Sequence, residues 1–463
     1  MTPALAAAGH AHGPTSLTNV TDDWPTLDQV AAVLTFQSGH NTTVVVLSTT
    51  LLGVAAGIVG VFALLRKRSL VADAISHATL PGIGLAFIAA TALGLQGRSL
   101  PVLLLGATVT GVLGVLAIQW LLRHTRLHED AAIGLILSVF FGAGVVVLSV
   151  IQSMRSGNAA GIDKFIYGQT AAMTARDAVT MAVIAGVAVL AAAALLKEFA
   201  LVCFNDAFAR VGGWPVPLID LLMMGLVVVV TVAGLQAVGL ILVVAMLIIP
   251  AVSARFWTQR LWLLVVLAAV IGGLSGYLGS SASALLPRKP AGAVIVLTSG
   301  VIFVVSMLAA PSRGVVAAAL RRLRTRLGIA ADHLLELAYL GSIDRGLSAV
   351  DDAELADLRR RRAWGPLLNA LVTLYLRRQG MGGLVGGAFV PTPAGLARGR
   401  RVARNHRLWE QYLVSYADIA PGHLDWTVDQ VEHVLSDDLV SELEHALAQR
   451  GVDPMAEPTG VAS

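Results

Sequence analysis

The chain has 463 residues, 56% of them hydrophobic and 13% charged, with a mean hydropathy of +0.75. Ordinary soluble domains carry about 25% charged residues, so this composition excludes a wholly water-soluble protein. The formal net charge of +4 gives no argument for a nucleic-acid or acidic partner, and the single cysteine, Cys203, excludes an intramolecular disulfide and a CxxC metal site.

Residues 1–43 contain no Lys or Arg and are expected to be a translocated, disordered polar tail outside the cytoplasm. A bilayer core about 30 Å thick needs about 20 apolar residues per helix. Such runs recur at 44–65, 70–95, 101–122, 131–151, 177–196, 216–233, 235–252, 261–285 and 291–310. The expected fold is therefore an all-α polytopic membrane protein of about nine transmembrane helices, with the membrane domain at 44–311. "RKRS" (66–69), "RHTR" (123–126), the 197–210 loop, Arg255 with Arg260, and the arginines after Arg313 fall on every second connection. Those sides are cytoplasmic by the positive-inside rule, and so is the more polar sequence after residue 311.

The second run, "LVADAISHATLPG" (70–82), carries Asp73 and His77 four residues apart. On a helix they share one face, where one divalent ion can bridge them. Ionisable groups in a bilayer normally face a bundle interior or a pathway, and imidazole with carboxylate suits manganese, iron or zinc. Pro81-Gly82 just beyond allows a kink or break that would line a cavity. The alternative is that Asp73 lies near the interface paired with "RKR" and His77 is a packed, hydrogen-bonded histidine. Spacing leaves both open.

"RSLVADAISHATLPGIGLAF" resembles the signature of the family 3 metal-ion ABC permeases, membrane subunits of bacterial manganese, zinc and iron importers. "EDAAIGLILSVFFGAGVVVLS" (129–149), "IDKFIYGQ" (162–169), "KEFALVCFNDAFARVGGWPVPLIDLLMM" (197–224) and "LQAVGLILVVAMLIIPAVSARFWT" (235–258) agree with that family in order. The resemblance covers about residues 35–310. It implies that Asp73 and His77 line the translocation path of a divalent transition metal cargo. It also implies a cytoplasmic ABC ATPase subunit, an extracytoplasmic metal-binding protein, and a homodimer or permease pair in the bacterial plasma membrane.

"FNDAFARVGG" reads as a short surface helix with Asn205 as its N-cap and Gly212-Gly213 as its stop. The resemblance makes residues 205–212, with Asn205, Asp206, Phe208, Ala209 and Gly212, the element that docks into the ATPase. The chain has no GxxxxGK[ST] phosphate loop, and none of its four lysines follows a glycine. No nucleotide is expected to be bound here, ATP hydrolysis is assigned to a separate subunit, and the chain is not expected to be an enzyme.

After residue 311, "DDAELADLRRRRAWGPLLNALVTLYLRRQG" (351–380) reads as two helices across a turn. A glycine-rich hairpin, "MGGLVGGAFVPTPAG" (381–395), and a long helix from about Leu396 to Tyr416 follow. This is a winged-helix order, placed at 312–395, with repressor-type metal-binding and dimerisation helices at 396–450 and a disordered tail at 451–463. "NHRLWEQ" sets His406 and Glu410 at i and i+4; "DWTVDQVEHVLSD" sets Asp425 and Asp429 one turn apart, with Glu432 and His433 on the face of Asp429. N and O donors without thiolate suit manganese or iron better than structural zinc, whereas a charge run on a helix is usually a solvated face.

"RNHRLWEQYLV" and "VEHVLSDDLVSELEHAL" resemble the metal-dependent repressors of the diphtheria toxin repressor family over about residues 328–450. Carried over by position, His406, Glu410, Asp429, Glu432 and His433 fall on ligand positions, as do Asp425 and, in "DHLLELAYLG", His333 and Glu336. The helix in the recognition position, "WGPLLNALVTLYLRRQG", is apolar and lacks the Ser, Thr and Gln surface that reads bases, which puts DNA binding in doubt. The expected function is a metal importer's permease with a cytoplasmic metal-sensing domain. A membrane-tethered, metal-dependent transcription regulator is the alternative.

Overall fold

A computed structural model describes residues 26–37, 39–66, 69–94, 99–153, 173–286, 290–344, 346, 349–362, 364–416 and 437–449. The chain divides into two compact units, Met1–Ala317 and Ala318–Ser463.

The first unit opens with α1 (Leu27–Leu34), capped by a reciprocal Thr26–Gln29 box. The Tyr277 hydroxyl donates to the Leu34 carbonyl at 2.6 Å and its ring meets that of Phe36. The expected structureless tail thus includes an ordered helix held on the bundle, because its polar sequence still carries a helix cap and apolar anchors. The bundle follows as α2 (His40–Leu65), α3 (Ser69–Ala92), α4 (Leu100–His124), α5 (Glu129–Ser153), α6 (Ala175–Ala194), α7 (Leu196–Phe204), α8 (Asp206–Val211), α9 (Val216–Val238), α10 (Leu240–Trp257), α11 (Leu261–Leu285) and α12 (Ala291–Ala309). Eight of the described helices are long and apolar enough to cross a membrane, and α10 is a shorter apolar one.

Lipid tails give no hydrophobic drive between helices, so close backbone approach carries the packing. A Cβ added at Gly53 of α2 would strike the Gly272 carbonyl of α11, one at Gly272 would strike Gly53, and one at Gly276 would strike Thr49. On α3 and α4, Gly82 and Gly106 face each other in the same way. Here the structure corrects an expectation: α3 runs through Pro81 without ending, and Pro81-Gly82 is packed rather than open, with Gly106 against Gly82 and Gly144 of α5 against Leu80 and Pro81.

The expected division between residues 233 and 235 falls instead at Gly239, whose φ of 90° is easy only for glycine. Gly234 is a packing point between the arms, closed on the Val243 side chain. Leu235, Ala237, Val238 and Leu240 are all buried, so this reversal lies inside the protein.

The second unit is built from α13 (Val315–Asp344), which begins just before the division, then α14 (Asp352–Arg361), α15 (Pro366–Arg378), β1 (Gly382–Val385), β2 (Ala388–Pro391), α16 (Pro393–Tyr416) and α17 (Asp437–Gln449). β1 and β2 pair antiparallel with Val385 opposite Ala388. The two residues between them, Gly386 and Gly387, have φ of 60° and 90°, as a two-residue turn matched to strand twist requires. Val350 bridges to Phe389, completing the wing. Leu334, Leu335, Leu355, Val372, Leu376 and Phe389 form its core. A smaller cluster of Leu408, Val440 and Leu447 joins α16 to α17, beside an Arg404–Glu444 ion pair.

Candidate metal centres

On α3, His77 Nε2 lies 3.6 Å from Asp73 Oδ1. The His77 side chain is 21% exposed and that of Asp73 44%, so the carboxylate stands at the edge of the bundle with the imidazole behind it. The Phe141 ring of α5 meets the imidazole edge-on, centroids 5.1 Å apart, and fixes its plane. The alternative partner for Asp73 is otherwise engaged where it is described: Arg66, at the end of α2, donates to Asp220 Oδ1 of α9 from Nε at 3.2 Å and from Nη2 at 3.1 Å, and to the Val202 carbonyl of α7. Asp220 is 6% exposed and Arg66 partly buried, so a buried carboxylate is held by a half-buried guanidinium. Its sequence signal was only a lone Asp inside an apolar run.

The 205–212 segment folds as read. Asn205 caps α8, accepting the Phe208 N–H at 2.9 Å, and the chain leaves through Gly212 and Gly213, the latter at φ 77°. Asp206 pairs with Arg210 one turn on, and Ala209 is buried. Phe204, Phe208, Val211 and Trp214 are exposed, a local apolar patch of the kind that marks a contact surface.

In the second unit α13 supplies His333 and Glu336 and α16 supplies His406. Glu336 stands between the two imidazoles, with Oε2 4.0 Å from His333 Nδ1 and Oε1 3.6 Å from His406 Nδ1. His333 is 6% exposed. A glycine permits the approach: a Cβ at Gly399 of α16 would strike the Leu335 carbonyl of α13. Arg398 Nε donates to Asp332 Oδ1 at 2.7 Å, and this hydrogen bond raises the guanidinium pKa against the opposing effect of burial. The Asp332–Arg398 link, next to His333 in sequence, ties α13 to α16; nothing in its spacing distinguishes it from a surface pair.

Among the described residues, no group of three or more His, Cys, Asp and Glu side chains is arranged to hold an ion. Glu410 lies on α16, where its backbone alone is described, and Asp425, Asp429, Glu432 and His433 lie outside the described residues. The structure thus brings together His333, Glu336 and His406 from two helices, and leaves the other expected ligands unplaced.

Comparison with known proteins agrees with both halves. Residues 40–310 match the ABC 3 transport family, and residues 392–459 match the iron dependent repressor, metal binding and dimerisation domain. The manganese transport system membrane protein MntC of Bacillus subtilis is 37% identical over 382 residues, covering 82% of this chain and 86% of that protein. That alignment is longer than everything up to residue 310, so it includes part of the second unit. The zinc transport system membrane protein TroC of Treponema pallidum is 43% identical over 287 residues, 61% of this chain and 93% of its own length. Among solved structures, PsaBC from Streptococcus pneumoniae in complex with Fab superposes with a TM-score of 0.53 at 29% identity, over 62% of this chain and 96% of that one. With a family match over more than half its length, and in the order that the membrane helices and the α8 loop require, the chain belongs to the ABC 3 transport family.

Proposed function

We propose that this protein is the permease subunit of an ATP-driven importer of a divalent transition metal, manganese, zinc or iron, and that its C-terminal unit senses the metal in the cytoplasm. The observation that carries the reading is the Asp73–His77 pair on a membrane helix, in a chain of this family. One copy offers one carboxylate and one imidazole there, a partial coordination shell, which favours a permease pair that contributes from both sides. A separate ATPase docking on Phe208 and Val211 supplies the energy, and an extracytoplasmic protein delivers the ion.

For the second unit, His333, Glu336 and His406 contribute to a metal-sensing donor set that Glu410, Asp425, Asp429, Glu432 and His433 extend, more donors than one ion takes. The donors are N and O only, which favours manganese or iron. The helix in the recognition position presents Leu367 and Leu374 to solvent, and the wing presents Leu384 and Val385. Apolar side chains there favour a protein partner over DNA.

Radiolabelled manganese and zinc uptake by cells expressing the transporter tests the first reading. Asp73→Ala and His77→Ala, each present in the membrane at normal levels, are expected to lower uptake by more than about tenfold, as removal of a metal ligand does. Uptake unchanged in both would reduce the pair to a structural role.

A further inference from the structure

Directly after α12, the segment from Pro311 to Ala331 contains Arg313, Arg321, Arg322, Arg324 and Arg326 and no acidic residue. Its turn is anchored: Ser312 Oγ donates to the Phe256 carbonyl at the end of α10, and Gly314 is closed on the Ala310 carbonyl. From there α13 begins. Taking about 100° per residue, Val315, Val316, Ala319, Leu320, Leu323 and Leu327 fall within one apolar arc. Continued along the helix, that arc becomes Ala330, Ala331, Leu334, Leu335 and Ala338, which are buried in the core of the winged helix. One stripe therefore runs the length of α13, covered by protein in its second half. In the first half Val315, Val316, Leu320 and Leu323 are exposed, Leu320 to 61%. Arg322 lies along one edge of the arc and Arg324 along the other, Arg326 falls between Val315 and Ala319 near the first edge, and Arg321 is on the opposite face.

We propose that the first half of α13 is a membrane-surface helix, which lays this stripe into the boundary of the cytoplasmic leaflet with its arginines on anionic phospholipid headgroups. Three observations select that occupant. The stripe starts within a few residues of the last apolar span, so it begins at the membrane surface. Arginines edging an apolar arc are the arrangement of an interfacial helix, whose long side chains reach back to the headgroups. A cluster of juxtamembrane basic residues is drawn to an anionic leaflet, whereas a second copy of the same helix would bring two sets of arginines together. The assignment is independent of which metal is carried, and it makes the lipid headgroup a ligand of the helix that also bears His333 and Glu336.

The test uses the full chain carrying Leu320→Cys on a Cys203→Ser background, labelled with a polarity-sensitive fluorophore. It is reconstituted in nanodiscs of phosphatidylcholine with or without phosphatidylglycerol. With phosphatidylglycerol, quenching by neutral aqueous acrylamide is expected to fall at least about threefold and quenching by a headgroup-level lipid quencher to rise. High salt should reverse both, as should replacing Arg322, Arg324 and Arg326 together with Gln. The lipid and salt comparisons need no arginine variant, so a variant that fails to fold leaves the test standing. A label equally open to acrylamide in both lipids, at the level of one placed at Leu367, overturns the proposal. So does shielding that is indifferent to lipid and accompanied by self-quenching between labels, which would assign the stripe to a second copy. Shielding produced only by added RNA would assign it to nucleic acid and overturn it equally.

Discussion

The two units bring histidine and carboxylate together differently: the second unit adds a histidine from another helix to a pair made within one. In the membrane unit Asp73 and His77 come from one helix, one turn apart, and helices are held around them by glycine contacts such as Gly53 on Gly272. In the second unit Glu336 meets His406 from another helix, seventy residues away in sequence, on a core closed by Phe389 and its neighbours. The difference follows from the solvent. Lipid gives no reward for burying leucine, so fit between backbones does the assembling. Water rewards burial of side chains by about 25 cal/mol per Å² of apolar surface, so distant segments are driven together and a site can be shared between them.

That contrast can be broken experimentally. The largest effect is expected from Gly272→Leu, which would push α11 off α2 where backbone meets backbone; loss of the folded protein from detergent extracts is the expected outcome. Gly142→Leu, at a position with nothing close by, should extract normally. If both behave alike, backbone fit is not what holds the membrane unit. Next, Phe389→Ala is expected to destabilise the second unit by about 3–5 kcal/mol while the membrane helices keep their protection from hydrogen exchange. Simultaneous loss of both would mean the units do not unfold separately. A smaller change sharpens the comparison at the shared site. Gly399→Ala should spread α13 from α16 and weaken manganese binding by the full chain about tenfold, read by calorimetry with helix content unchanged; unaltered affinity would remove His406 from the metal site. The smallest effect is Asn205→Ala, about 1 kcal/mol of local stability, seen as faster exchange of the Phe208 amide with the rest of the bundle unaffected.

Legibility in the sequence tracked the same physics. Asp73 and His77 stood out because ionisable residues are scarce among apolar ones, and the α8 loop because its cap and its glycine stop are local signals. The winged-helix order was readable from turn glycines, and Gly386-Gly387 gives the turn those residues demand. Other features were hidden because they depend on tertiary fit. Pro81-Gly82 looks like a helix breaker, yet Gly106 opposite turns it into a packing surface. Gly234 and Gly239 look alike in sequence, and only the positive φ separates turn from contact. Arg66 with Asp220, and Arg398 with Asp332, join segments 154 and 66 residues apart, beyond the reach of any spacing rule.

The Gly239 reversal bears on how the protein is made. A single residue joins α9 to α10, and Ala237, Val238 and Leu240 beside it are apolar and buried. No polar loop exists there for the insertion machinery to push across the bilayer after one helix and before the next. α10, at 18 residues, is about 27 Å long, near the lower limit for crossing a hydrocarbon core of roughly 30 Å. A turn this tight favours entry of the two arms into the bilayer together, with the Gly234–Val243 contact among the first they can make.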